Sequence, residues 1–334
     1  MKRLLFLFLF LMALGGCAGA PLTKIQEDAP LPPEVSEAEE KFAVKEVDPN
    51  AAPPPAPEAP KTGGKKKKTK AKAKVPLVYP NRRPVKDPFW LHERHVFDIN
   101  YFGVTAGEFT TEVLPNKQIN NRPVYHIKAT ARSLPFFSNF YRIDDYVESF
   151  WDYEGLFSHR FHLVQDESKQ TRDALELYDQ DKQQTFYWNR WNHKDRGYQE
   201  SKDLQPMTPF SQDSLTALFY LRVLPLPDGA VITFPVISEG KNWEAQVTVV
   251  RREEINTPMG RYKAVVVKPE TKFGGVLQKR GDSFLWFSDD ERRYMLRMEA
   301  QVKIGTVIAA CKRIEDGEPR TSASPEPGAL TPSQ

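Results

Sequence analysis

Residues 242–249 read Asn242-Trp243-Glu244-Ala245-Gln246-Val247-Thr248-Val249. Successive side chains of an extended strand point to opposite faces. Trp243, Ala245, Val247 and Val249 therefore share one face, and Asn242, Glu244, Gln246 and Thr248 the other. The same period of two recurs upstream. Phe97, Ile99 and Tyr101 alternate with Asp98 and Asn100; Phe109, Thr111 and Val113 with Thr110 and Glu112. Tyr125, Ile127, Ala129 and Ala131 oppose His126, Lys128, Thr130 and Arg132. Downstream, Tyr294, Leu296, Met298, Ala300, Val302 and Ile304 stand against Arg293, Arg297, Glu299, Gln301 and Lys303. Weaker strands are predicted near 141–151, 157–165, 172–179 and 183–189, a buried run at Ala264–Val267 and an aromatic one at Ser283–Phe287. Gly103–Gly107 reads as a turn and Pro115–Pro123 as a loop. Half-apolar strands argue antiparallel pairing with one face covered. The predicted fold is mainly β: a large curved antiparallel sheet, forming a partly closed barrel or two packed sheets. One segment departs from the pattern. Ser211 is placed to cap a short helix over 211–222, with Leu215, Leu218 and Phe219 as its apolar positions and Pro225 beyond its end.

Composition sets the limits of the folded part. The 334 residues include 28 Pro and 2 Cys. Thirteen Pro fall in residues 18–86 and four in 315–334, so 87–314 has ordinary proline density and is read as a single β-rich domain. Charge divides at the same boundary. Residues 18–86 hold 14 Lys and Arg against 9 Asp and Glu, whereas 87–314 hold 30 against 31. Collagen, coiled coil and polytopic membrane protein are excluded, and two cysteines do not make a disulfide scaffold.

The leader predicts an address. Lys2 and Arg3 precede an apolar run from Leu4 to Leu14, which is too short to span a bilayer and fits a signal peptide over 1–16. Leu14-Gly15-Gly16-Cys17 resembles the bacterial lipobox. That resemblance implies lipidation of Cys17 with a diacylglyceryl group and an N-acyl chain such as palmitate. Three acyl chains hold a protein to a membrane where one does so only marginally. Ala18, rather than Asp, after the cysteine points to the outer membrane by similarity to enterobacterial lipoproteins. Residues 17–86 then read as the lipidated cysteine followed by a disordered tether, rich in Pro, Ala and Lys. If fully extended, the tether reaches on the order of 200 Å. Lys65, Lys66, Lys67, Lys68, Lys70, Lys72 and Lys74 are candidates for electrostatic docking on anionic lipid, lipopolysaccharide or cell-wall polymer. The bland alternative is a solvated spacer. Nucleic acid is not an expected partner of an exported lipoprotein. Residues 315–334 read as a second disordered tail.

Several residue groups within 95–314 carry a resemblance. They are Tyr101-Phe102-Gly103 followed by Ala106-Gly107-Glu108; Asp145 with Glu148-Ser149; Asp213-Ser214 leading to Leu221-Arg222 and Pro225-Leu226; Gly240-Lys241; Gly260; Trp286 with Asp289-Asp290; and Ile304-Gly305. In order and spacing they are similar to the domain-of-unknown-function family numbered 3108, found in exported bacterial proteins. Met295 stands where the family usually has proline. The resemblance implies an exported β-rich domain and brings no catalytic residues.

Candidate chemistry is sparse. His159 and His162 lie three apart, which on a strand puts them on opposite faces, so neither they nor His92, His95, His126 and His193 form a metal motif. Cys311 beside Ala309 and Ala310 reads as a small core residue. Asp144, Asp145 and Glu148 are the acid and base that a polysaccharide hydrolase would use. Phe186-Tyr187-Trp188-Asn189-Arg190-Trp191 is the most unusual stretch, and Tyr187, Trp188 and Trp191 are candidate contacts for a sugar ring or acyl chain; the bland alternative is an aromatic strand packed on the core. No cofactor, metal or catalytic residue is expected. The expected function is that of a non-enzymatic, outer-membrane-anchored, periplasm-facing lipoprotein that binds or organises an envelope component, with a hydrolase or a protein-binding scaffold as alternatives. If it carries acyl chains, Phe97, Ile99, Tyr101, Tyr125, Ile127, Trp243, Val247, Leu296 and Met298 should line an apolar pocket of about 300–1,000 Å³, with the helix as lid or plug. The contrary picture is a solid interior.

Overall fold

A computed structural model describes residues 41–47, 79–274, 276–277, 281–302 and 304–320. The predicted signal peptide, Cys17, the lysine block and most of the tail lie outside the described residues. Strand β1 is Lys45–Glu46, β2 Arg94–Tyr101, β3 Val104–Ile119, β4 Arg122–Ser133, β5 Asp144–Asp152, β6 Ser158–Glu167, β7 Gln170–Asp179 and β8 Gln184–His193. The chain continues with β9 Gly197–Pro206, β10 Val231–Ser238, β11 Lys241–Thr257, β12 Gly260–Phe273, β13 Val276–Leu277, β14 Ser283–Ser288, β15 Met295–Gln301 and β16 Thr306–Glu315. Helix α1 is Pro135–Ser138 and α2 is Thr216–Val223.

All sixteen strands form one antiparallel sheet, in the order β10-β11-β12-β14-β15-β16-β2-β3-β4-β5-β6-β7-β8-β9, with β1 beside β3 and β13 beside β12. The sheet curls. Trp151 on β5 meets Tyr220 on α2, and Tyr220 meets Phe234 on β10, so one helix touches strands far apart in the sheet. The two ends of the sheet approach without pairing. Asn242 on β11 donates to Pro206 O on β9 at 2.7 Å. Residue 212 fills part of the seam: its N–H donates to Pro235 O at 3.0 Å and its carbonyl accepts from Ile237 N at 2.8 Å. The result is a partly closed barrel rather than two packed sheets.

The concave face carries the main core. Phe97, Val113, Tyr125, Ile127, Trp151, Val247, Val265, Phe287 and Met298 gather there around Phe89 and the α2 residues Leu218, Phe219 and Leu221. Helix α2 thus plugs the barrel. Its entry differs from the predicted cap. Ser211 Oγ bonds Thr208 O, and the carboxylate of Asp213 accepts the N–H groups of Leu215 at 2.8 Å and Thr216 at 2.7 Å.

Bulges account for two further differences. Pro115–Pro123 is not a loop: β3 continues to Ile119, because a register shift between Leu114 and Lys117 accommodates the missing N–H of Pro115. The turn shrinks to Asn120 and Asn121, both at positive φ, as a tight hairpin requires. Leu296 is not inward. The register slips between Trp286 and Phe287, which skips Leu296, so Met295 and Met298 face the main core while Leu296 packs with Ala264, Val266 and Trp286 on the outer side.

The tether boundary at 86 is also corrected. Phe42 is 2% exposed. It sits among Ile119, Val124, Phe150, Leu175, Leu177, Phe186 and Trp188 on the outer face. Lys41 Nζ binds Asp179 at 2.8 Å and Asp181 at 2.7 Å, β1 pairs with β3, and Tyr79 stacks on Phe157 and donates to Asp181. At the other terminus, Leu91 bridges to Glu318, and Arg320 donates to Phe89 O at 2.9 Å. These contacts were hidden because one Phe in a polar stretch has no period. Phe42→Ala should weaken docking of the segment by about 3 kcal/mol. Amide exchange at Lys45 and Glu46 should speed roughly 100-fold, with the global melting temperature little changed. Unchanged exchange would show that Phe42 does not hold the segment.

Candidate functional site

A buried collection of polar groups lies on the concave side of β5–β8, beneath the β10–β11 hairpin. Strands β6 and β7 put Phe161, Leu163, Arg172, Ala174, Glu176 and Tyr178 on this side; β8 adds Tyr187 and the hairpin adds Ser238 and Glu239. The cavity they enclose is about 30 Å³, room for a water molecule or two.

The groups in this cleft bind one another. Arg172 Nε donates to Asn189 Oδ1 at 2.5 Å, and its Nη2 donates to the Tyr187 hydroxyl at 2.5 Å and to Glu239 Oε1 at 2.8 Å. Glu176 accepts the Gly240 N–H at 2.7 Å and the Tyr178 hydroxyl at 3.2 Å. Gly240 has φ +71°, and a Cβ there would lie 3.3 Å from the Tyr187 Cβ, so the hairpin tip needs glycine to reach Glu176. Burial pushes the Glu176 carboxyl up to about 7, against the lowering effect of the Gly240 and Tyr178 bonds and helped by the negative charge of Asp213 and Glu239. At the rim, Asp145 and Glu167 share Gln165, whose Nε2 lies 3.2 and 3.1 Å from them. Burial, reinforced at Asp145 by the charge of Glu167, drives both carboxyls upward, so the pair retains a proton.

Glu176 makes stability depend on pH. An unfolded glutamate titrates near 4.3, roughly. Between that value and about 7 the native carboxyl keeps its proton while the unfolded one loses it, so its contribution falls as pH rises through this window and then levels off. Glu176→Gln should therefore raise the melting temperature relative to the parent at pH 8 more than at pH 4.5. An equal shift at both pH values would contradict this.

The predicted contacts do not converge. Tyr187 is on the concave side, bound to Arg172. Trp188 is on the outer face beneath Phe42, its Nε1 donating to Glu200 at 2.8 Å. Trp191 shares the Tyr187 side but bonds Gln170 at the far end of the strand, at 2.8 Å. The acidic trio is also split. Asp144 pairs with Arg132 at the exposed surface, Asp145 is buried with Glu167, and Glu148 pairs with His126 at 3.0 Å and Lys128 at 3.9 Å. His159 and His162 each have their own carboxylate, Asp152 at 2.9 Å and Asp173 at 2.8 Å. No group of three metal-ligating side chains occurs among the described residues. Cys311 is buried and its thiol pushed up to about 12 by burial, as suits a core residue.

Sequence reasoning missed Arg172, Glu176, Glu239 and the Glu167 partner. Strand β7 is buried on both faces. Leu175 and Leu177 mark its outer side, so Arg172 and Glu176 look like the solvent side in an alternation pattern. One signal was available: Asp213 lies in the same dipeptide as Ser214, which lines the cleft, and Asp213 accepts from Ser149 at 3.0 Å and Ser158 at 2.8 Å, joining two of the quoted residue groups.

Comparison with known proteins gives three similar solved structures and a family. A β-barrel-like protein of domain of unknown function DUF1849 from Brucella abortus aligns at TM-score 0.43 and 9% identity, over 68% of this chain and 98% of that one. A protein with a YmcC-like fold from Bacteroides fragilis aligns at 0.32 and 12%, over 68% and 97%. A protein described as a lipoprotein from Parabacteroides distasonis aligns at 0.32 and 9%, over 70% and 100%. No curated protein matches. The family model described as protein of unknown function (DUF3108) matches residues 96–312, which runs from β2 to β16 and takes in the plug helix and the cleft, and the chain belongs to that family.

Proposed function

We propose that this protein is a non-enzymatic lipoprotein of the cell envelope, anchored through Cys17, whose β domain organises other envelope components through its outer surfaces. The carrying observation is the packing of the concave face. Aromatic side chains and α2 occupy it, the polar cleft groups are bound to one another, and the cavity in this cleft, about 30 Å³, is far below the size of a ligand pocket. The larger hollow of about 550 Å³, between the end of α2 and the β14–β15 turn, opens at the surface and not into the concave face. This favours the scaffold over an acyl carrier. The docked segment at 41–47 also brings the domain closer to the membrane. From Cys17 to Lys41 is 24 residues, which span at most about 80 Å, against the longer reach of a free tether. Placement in the outer membrane, facing the periplasm, rests on Ala18. The lysine block remains a candidate for docking on anionic lipid, lipopolysaccharide or cell-wall polymer. Titrating the full chain with a fluorescent acyl-chain probe tests the reading. The expected result is no saturable emission change; saturable one-to-one binding would restore the carrier.

A further inference from the structure

The sheet has two edges, and they differ. The edge of β10 carries Pro235, which has no N–H to offer, and is partly covered by residue 212. The edge of β9 has β8 on one side and, among the described residues, no strand on the other. Its ten residues pair with β8 without a register shift and stand largely in solvent. Asn242 reaches only its last residue, Pro206. A long, regular edge with no described strand beside it is a template for another strand.

What suits that edge is written along it. Pairing with β8 places Lys202 opposite Trp188, so residues 198, 200, 202 and 204 share the outer face. Tyr198 and Leu204, at the two ends of this row, are 56% and 58% exposed. Glu200 and Lys202 lie between them. We infer that β9 pairs antiparallel with β9 of a second copy, about a two-fold axis through Ser201, which joins two sheets into one.

In that register Tyr198 faces Leu204 of the second copy, and Glu200 faces Lys202, twice over by symmetry. Each apolar side chain meets an apolar one and each charge its opposite. The neighbouring two-fold registers fail on charge. Moving the axis to Glu200 sets Glu200 against itself, and moving it to Lys202 sets Lys202 against itself. A slip of one residue turns the outer face inward and is not two-fold. Lys202, which would ordinarily guard an edge against strand addition, becomes the group that selects the partner. This pairing does not depend on how the cleft functions.

Cysteine cross-linking of the full chain in its own membranes tests the inference. Directly opposed residues of antiparallel strands have Cα atoms about 4.5–5.5 Å apart, within disulfide reach. Ser201→Cys should therefore give a band at twice the monomer mass under copper–phenanthroline oxidation, reversed by thiol. Gln199→Cys and Asp203→Cys, each about 14 Å from its own copy, should stay monomeric. Glu200→Lys in the Ser201→Cys background should abolish the dimer band, and adding Lys202→Glu should restore it. A monomeric Ser201→Cys chain, equal cross-linking at 199, 201 and 203, or capture of a different protein by Cys at 201 would each overturn the pairing. Cys311 is buried and does not compete.

Discussion

Arg222→Met is expected to cost about 3–5 kcal/mol of folding stability, the loss that follows when one partner of a buried ion pair is removed. Arg222 sits at the end of the plug helix and is 3% exposed. Its Nη1 donates to Glu93 at 2.6 Å; its Nη2 donates to Glu93 at 3.1 Å, to Pro88 O at 3.1 Å and to Arg292 O at 2.9 Å. One guanidinium thus ties α2 to the strap before β2 and to the β14–β15 turn. Burial alone would raise the Glu93 carboxyl, but the charge of Arg222, with His95 Nε2 3.2 Å away, holds it well below the usual carboxylate range. Methionine fills the stem and leaves Glu93 buried with Arg292 as its remaining cation, at 2.6 Å. Because the native pKa is depressed, this contribution is present above the unfolded value and is lost as pH falls through the window below it. The destabilisation, read by denaturant unfolding, should therefore be larger at pH 7 than at pH 3. A change under 1 kcal/mol at pH 7 would contradict the brace.

Cys17→Ser should detach the protein from membranes altogether. The proposed anchor would rest on three acyl chains, each worth about 0.8 kcal/mol per buried CH₂. No helix among the described residues is long and apolar enough to replace them. Fractionation should move the variant from the membrane pellet to the soluble envelope fraction or leave it unprocessed. A variant that remains in membranes after a carbonate wash would show a second attachment.

The sheet was legible where its strands have one wet face. The alternation at 97–101, 125–131 and 243–249 appears in β2, β4 and β11 with the predicted faces, because burial on one side writes a period of two into the sequence. The bulge at Leu296 defeated the same logic in β15, since one skipped residue reverses the faces and leaves no mark in composition. Both edges were missed for opposite reasons. Strand β9 is mostly polar and has no apolar period of two, Gly197-Tyr198-Gln199-Glu200-Ser201-Lys202-Asp203-Leu204, and β10 contains Pro235. Helix α2 was found, but Asp213 rather than Ser211 accepts the N–H groups at its entry. The cleft was the least legible feature. Arg172 and Glu176 lie among residues that would suit solvent, and only the hairpin tip at Gly240, distant in sequence, shows that they are enclosed.

Native mass spectrometry of the full chain, extracted from membranes in mild detergent, tests the solid interior most directly. The packed concave face predicts the mass of the polypeptide with the proposed covalent anchor, and no further lipid or glycan retained under gentle activation. A stoichiometric lipid or glycan that stays bound, and is lost on Phe219→Trp or another overfilling change at the plug, would contradict it.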